Sequence, residues 1–277
     1  MPEIEVKEVE TPAVADPEIE EMFRAGLYLG YSRTRRHPKM KPYIFGLRNN
    51  VEVFDLEKIR EKLREAEEFL KKLASEKKTV LLVGAKPSAA PLVEKTSEEL
   101  GMPFSARHWP GGFLTNFSVM RKRLEHLEDL KSKRASGELA KYTKKEQLVL
   151  NEEIMRLENK FAGLTSLKKI PDAMIIIDPR EEKTATREAQ KMKLKTIGIM
   201  NIDCDPDLVV YPVPANDSAY SSIKYVLGRL ALAYKSGVQI AEQKAEVVAE
   251  GLKVEAPTPA EGEVGVSTVK RVEKKNA

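Results

Sequence analysis

The chain has 277 residues, of which 42% are hydrophobic and 32% charged, enough apolar material for one large domain or two small ones. A single cysteine, Cys204, excludes an internal disulfide, no run of about 18 apolar residues exists to form a membrane-spanning helix, and the acidic opening MPEIEVKEVE lacks the apolar stretch of a secretory signal. The net charge of +4 is unevenly spread: residues 1–21 hold eight acids against Lys7, a net of −7, which leaves +11 on residues 22–277 and suits a polyanionic partner.

Residues 1–17 are acidic, contain three prolines and show no periodicity, so they are expected to be a disordered tail. The first part of the body is expected over 18–113. It includes YSRTRRHPKMKPYIFGLRNN (31–50), where Arg33, Arg35, Arg36, Lys39 and Lys41 fall within nine residues among Tyr31, Tyr43 and Phe45. Prolines 38 and 42 predict an ordered, non-helical loop. Lys and Arg neutralise phosphates, and aromatic rings stack on unpaired bases, so this loop is a candidate RNA surface. VEVF (51–54) reads as a strand, and Asp55 caps a helix with Leu56, Ile59, Leu63, Ala66, Leu70 and Leu73 at helical spacing. TVLLVG (79–84) is a strand covered on both faces, Ala89–Leu100 a helix ended by Gly101, and FSA (104–106) a short strand.

RHWPGGFLTN (107–116) follows. Trp109 is expected to be a buried anchor, with Pro110, Gly111 and Gly112 turning the chain and Arg107 and Asn116 facing outward. Between this motif and the next strand, Phe117, Met120, Leu124 and Leu127 step at heptad spacing, as do Leu150, Ile154, Leu157 and Phe161. Ser136-Gly137 ends the first run, and Thr143 with Glu146 has capping-box spacing for the second. An antiparallel helical hairpin is therefore expected over 114–165. Residues 118–160 carry eleven Lys/Arg against eight Asp/Glu, and Arg121, Lys122 and Arg123 form a second basic cluster at its root.

The body resumes over 166–239. AMIIID (173–178) is a buried strand, Glu181–Met192 a helix and TIGIM (196–200) a strand; VVY (209–211) is an edge strand stopped by Pro212. Asn216 or Asp217 caps a last helix, and residues 240–277 are a low-complexity tail, helical at first. Alternation of this kind predicts a doubly wound α/β parallel sheet with helices on both faces.

Catalytic chemistry finds little support. No GxGxxG and no GxxxxGK[ST] occurs. GAKPSAA (84–90) places Lys86 between a strand and a helix and is the one candidate phosphate loop. Asp203, Asp205 and Asp207 alternate as in a calcium loop, but Leu208 and Pro214 stand where that loop needs Gly and Glu. The three histidines lack metal spacing, and no nucleophile–base pair is evident; neither a catalytic residue, a metal nor a cofactor is expected. A phosphate- or nucleotide-binding α/β enzyme and a coiled-coil adaptor remain the alternatives to an RNA-binding protein.

Several strings decide among these. GLYLGYSRTRRHPKMKPYIFGLRNNVEVFDLEK, RHWPGGFLTNF, TKKEQLVL, IPDAMIIID and NIDCDPDLVVYPVPANDSA, in that order, resemble the ribosomal small-subunit protein S-two family over roughly residues 20–237. The resemblance implies a flavodoxin-like body with a coiled-coil hairpin inserted after GG-x-LTN. It implies a structural, non-catalytic role in the cytoplasm, not as an independent homo-oligomer. Ribosomal RNA and neighbouring small-subunit proteins, the large mRNA-binding protein S-one among them, are the implied partners. Carried over by motif, the RNA-facing residues are Arg33, Arg35, Arg36, Lys39, Lys41, Arg107, Asn116, Arg121 and Lys122. The chain departs from the family in having Tyr31 in place of a common His and Arg36-His37-Pro38-Lys39 in place of Trp-Asn-Pro-Lys.

Overall fold

The computed structural model describes residues 16–254, with the backbone alone for Ala140, Ala162 and residues 245–254. The expected tails therefore fall largely outside the described residues. Helix α1 (Pro17–Arg24) starts on Asp16, whose carboxylate accepts from the Glu18 amide at 3.2 Å, with Pro17 in the first turn where its missing N–H costs nothing. Strand β1 (Leu29–Ser32) leads into two 3-10 turns, Arg33–Arg35 and Pro38–Tyr43, and then into β2 (Ile44–Arg48) and β3 (Val51–Phe54). These strands form an antiparallel sheet in the order β1-β3-β2. Asn49 and Asn50, with φ of 48° and 64°, make the two-residue turn between β2 and β3. VEVF thus belongs to a hairpin rather than to the parallel sheet the alternation predicted. A two-residue connection closes an antiparallel pair, whereas a parallel neighbour needs a crossover.

Helix α2 (Leu56–Ser75) is capped by Asp55 and buries Ile59, Leu63, Ala66, Leu70 and Leu73. Strand β4 (Val80–Val83), helix α3 (Ala90–Leu100, ended by Gly101 at φ 64°) and β5 (Phe104–Ser105) follow. Then come α4 (Phe117–Ala135), α5 (Lys144–Phe161), β6 (Ala173–Ile177), α6 (Lys183–Lys191), β7 (Lys195–Met200), β8 (Tyr211–Pro214) and α7 (Tyr220–Val254). The second sheet has the order β5-β4-β6-β7-β8 with every pair parallel. In chain order of its own strands this is 2-1-3-4-5, the flavodoxin-like arrangement. The last strand corrects an expectation: it begins at Tyr211 and runs through Pro212 to Pro214 instead of stopping at Pro212. β8 is an edge strand with one partner, so a proline nitrogen there can face away from the ladder.

Both sheet faces are covered. Val80, Leu82, Ile175, Ile177, Ile197 and Ile199 pack with the apolar stripes of α2, α3 and α7. Leu81, Val83, Met174 and Ile176 pack with Ala185 and Ala189 of α6 and with Met120, Leu124, Leu127, Ile154 and Phe161 of α4 and α5. Alternate residues of one strand thus serve two cores, which is why these strands read as unbroken apolar runs. The α4–α5 pair shares its core with the sheet. Asn216 is the cap of α7, its Oδ1 accepting from the Ser218 and Ala219 amides at 3.0 and 3.2 Å. Asp217 turns inward instead. The compact unit that holds both sheets runs to Ala241, and Glu242 onward falls in a second unit, helical to Val254 among its described residues.

Candidate nucleic-acid interface and the carboxylates behind it

The basic loop 33–41 divides into two sets. Arg33, Arg35 and Lys41 are exposed, and no acid among the described residues pairs with them; Arg35 lies over the Tyr31 ring at 5.2 Å. Arg36 donates to Glu52 at 2.8 Å, and Lys39 donates to Asp207 at 2.5 Å and Asp205 at 3.2 Å. Hydrogen bonding to these two aspartates raises the lysine pKa. The His37 amide donates to the Ile202 carbonyl at 2.7 Å, which pins the loop to the segment after β7. Asp203 pairs with Arg180. All three aspartates considered as calcium ligands are therefore matched by cations of the chain itself. Among the described residues no group of three or more His, Cys, Asp or Glu is placed to hold a metal. The Cys204 thiol is buried and pushed up to about 12, first by burial and then by Asp178 and Asp203.

Open α/β sheets take ligands at the carboxyl ends of the strands, where the strand order reverses. Here that place lies between β4 and β6, and the chain fills it. Lys86, after β4, reaches Asp178, after β6, at 3.1 Å and Asp217 at 3.2 Å. Tyr31 contributes its hydroxyl, 2.6 Å from the Ser218 hydroxyl, and donates to Asp217 at 3.0 Å; Asn201 donates to Asp217 at 3.0 Å. Burial disfavours the Lys86 charge, but Asp217 and Asp178 outweigh it and hold the ammonium above the ordinary lysine range. Burial, then the charge of Asp217, pushes Asp178 up to about 6. Burial acts on Asp217 in the same sense, but hydrogen bonds from Asp178 and Asn201 and the Lys86 charge hold it below the usual carboxylate range. The amide of Ala85, which a phosphate loop would present, donates to Glu182 at 2.8 Å. Lys86 is thus committed to two carboxylates, and the phosphate-loop reading of GAKPSAA loses its cation. Tyr31 is part of the same cluster.

The RHWPGG turn is organised by a residue the sequence reading passed over. Trp109 is 3% exposed, as expected of an anchor, and stacks edge-on to Phe113 at 5.5 Å. Its indole N–H donates to Glu188 of α6 at 3.2 Å. Glu188, itself 6% exposed, also accepts from the amides of Gly112 (2.7 Å), Leu114 (2.9 Å) and Thr115 (3.2 Å). One buried carboxylate thereby satisfies several amides of the turn that opens α4, where negative charge also suits the helix N-terminus. The two glycines differ: Gly112 has φ 81°, whereas a Cβ on Gly111 would meet nothing nearer than Thr184 at 4.0 Å.

At the start of α4, Asn116 is exposed, as is Lys122 further along the helix. Arg121 bonds Glu125 at 2.9 Å and the Leu167 carbonyl at 3.0 Å, and Arg107 donates to Asn159 of α5. The nine RNA-facing candidates therefore do not form one free surface. Arg33, Arg35, Lys41, Asn116 and Lys122 are available to a partner, while Arg36, Lys39, Arg107 and Arg121 are held by the chain.

A family model described as Ribosomal protein S2 matches residues 22–237, which takes in both sheets, α4, α5 and the first half of α7. The chain belongs to the ribosomal protein S2 family. It is 37% identical over 229 residues to the small ribosomal subunit protein uS2 of Dictyoglomus thermophilum, covering 83% of this chain and 93% of that one. To the small ribosomal subunit protein uS2 of Thermus thermophilus it is 38% identical over 242 residues, covering 86% and 94%. Among the described residues no helix is long and apolar enough to cross a membrane.

Proposed function

We propose that the chain is a structural constituent of the small ribosomal subunit, binding ribosomal RNA and neighbouring ribosomal proteins without catalysis. The observation that carries this reading is the family match over residues 22–237, with 93% and 94% of the two relatives' own lengths covered. Those relatives are named as small ribosomal subunit proteins. In this reading the chain works in the cytoplasm with the large mRNA-binding ribosomal protein S-one among its partners, a reading that the family match supports and to which the geometry adds nothing. The committed Lys86 speaks against the nucleotide-binding alternative. In this reading α4 and α5 are the antiparallel coiled-coil hairpin. A short connection, 136–143, and the packing of Leu124 and Leu127 with Ile154 and Phe161 support it, as do the Lys131–Glu158 ion pair at 3.0 Å and the approach of His126 to Glu153 at 3.5 Å. Arg33, Arg35 and Lys41 are the RNA-facing part of the first loop; Arg36 and Lys39 hold that loop in shape.

Co-sedimentation with small ribosomal subunits across a salt series tests this. Stoichiometric recovery in the subunit peak at low salt is expected, with release as salt rises. An Arg33→Gln/Arg35→Gln/Lys41→Gln variant should be released at lower salt. Protein that stays at the top of the gradient under every condition overturns the assignment.

A further inference from the structure

Strands β1, β2, β5 and β8 lie at the sheet edges, and the fold protects all of them but β2. β8 carries Pro212 and Pro214, which cannot donate to a further strand. β5 is two residues long and lies under Gly163, where an added Cβ would clash with the Phe104 carbonyl. β1 pairs in an irregular register and rests on the segment after β7, where a Cβ on Gly30 would meet Ile202 at 3.1 Å. β2 differs from these. It has five residues and no proline, its one strand partner is β3, and its Phe45 and Leu47 are 64% and 43% exposed. One row of its backbone amides and carbonyls therefore lacks a strand partner among the described residues. An exposed apolar edge is a template for another strand, and native proteins cover such edges or charge them.

We propose that residues 3–10 of this chain, which lie outside the described residues, add to the free edge of β2 as a fourth strand, with Ile4 and Val6 against Phe45 and Leu47. The first support is the sequence EIEVKEVE. Residues 1–17 taken whole show no periodicity, but Glu3-Ile4-Glu5-Val6 alternates strictly, and Glu8-Val9-Glu10 resumes the alternation one residue late, as across a bulge. Pro2 and Pro12 bracket the stretch and none falls inside it. A strand this short has no core of its own and orders only against an existing edge, which agrees with the tail expected from its composition. The second support is reach. Asp16 pairs with Arg60, five residues beyond Asp55 and a rise of about 8 Å along α2. The Asp55 amide donates to the carbonyl of Tyr43, the residue before β2, at 2.9 Å. Residues 11–15 span up to about 17 Å when extended, enough to lay the preceding residues on β2. The third support is charge: Glu3, Glu5, Glu8 and Glu10 against Lys7 leave the segment at −3, and the exposed Lys41 and Arg48 flank β2.

Amide hydrogen exchange on the full chain, free of any partner, tests this without reference to the ribosomal assignment. Ile4→Asp/Val6→Asp and Phe45→Asp break the contact from its two sides. In wild type the β2 amides that are not bonded to β3 should exchange about tenfold more slowly than in either variant, and equally so at every protein concentration. Phe45 is exposed, so the body should fold in both variants; if Phe45→Asp fails to fold, the Ile4→Asp/Val6→Asp comparison stands alone. Equal exchange in wild type and the Ile4→Asp/Val6→Asp variant overturns the proposal. Protection lost in Phe45→Asp but kept in Ile4→Asp/Val6→Asp also overturns it, because another segment then covers the edge. Protection that grows with protein concentration assigns the edge to a second copy and overturns it too.

Discussion

The loop after β1 and the α4–α5 pair are both dense in Lys and Arg, yet the fold treats them differently. In the loop, Arg36 and Lys39 are tied to Glu52, Asp205 and Asp207, and the tied residues set the shape from which Arg33, Arg35 and Lys41 emerge. Between α4 and α5, Lys122, Arg123 and Lys160 line a groove whose acid, Glu153, is shared by His126 and Arg156, so none of the three has an ion-pair partner among the described residues. Cation density in a sequence therefore does not measure the charge offered to a partner; what matters is where the acids of the rest of the chain arrive. The same lesson holds behind the surface, where buried carboxylates act as organisers: Glu188 for the turn into the arm, Asp178 and Asp217 for the β1 side.

The largest effect expected from breaking this division is at Glu188. Replacing it with Ala strands the indole and three amides in a buried site and should cost on the order of 4 kcal/mol in urea unfolding, similar to Trp109→Ala. A loss below about 1 kcal/mol would mean water replaces the carboxylate and that the turn into the arm forms without it.

Next is Lys86→Met, which leaves Asp178 and Asp217 facing each other and should destabilise the body by about 3 kcal/mol. Adding Asp178→Asn should restore part of the loss. If the single variant is neutral, the cluster does not hold the β1 side to the sheet.

The pH dependence of this cluster is a sharper measurement. Asp178 titrates near 6 in the folded chain, above its ordinary value, so the unfolded chain releases that proton first. Its contribution to stability is complete below about pH 4 and is lost as pH rises through about 6. Asp178→Asn lacks this term, so its stability should gain on wild type by about 2 kcal/mol between pH 4 and 7. A constant difference across that range would show that Lys86 keeps Asp178 ionised throughout.

The smallest effect separates the two glycines of the turn. Gly112→Ala puts a Cβ at positive φ and should cost about 1–2 kcal/mol, whereas Gly111→Ala should fall within about 0.5 kcal/mol of wild type. Equal losses would locate the constraint in the turn as a whole.

Much of this was legible in the sequence because it is local. The leucine spacing of α2, the capping pair Thr143–Glu146 (Thr143 amide to Glu146 Oε2 at 2.9 Å) and the apolar run of β6 each declare themselves within a few residues. Some missed residues also carried a signal. Glu188 sits in the apolar phase of α6 between Ala185 and Ala189, and Glu52 alternates with Phe54, so periodicity placed both acids inward. No such signal marked the partners, since Arg36 meets a residue 16 positions away, Lys39 one 168 away and Lys86 one 92 away.

By itself the sequence determined the alternating α/β pattern, the two long helices between β5 and β6, the burial of Trp109 and, through its long motifs, the family. These rest on side-chain periodicity and backbone preference, which act over a few residues. Only the tertiary structure decided that VEVF joins a separate antiparallel sheet, that Lys86 closes the crevice where such sheets hold ligands, and which cations remain unpaired. Those outcomes depend on charges and strands brought together from distant parts of the chain, and a Coulomb contact forms where the fold places the two groups, whatever their separation along the sequence.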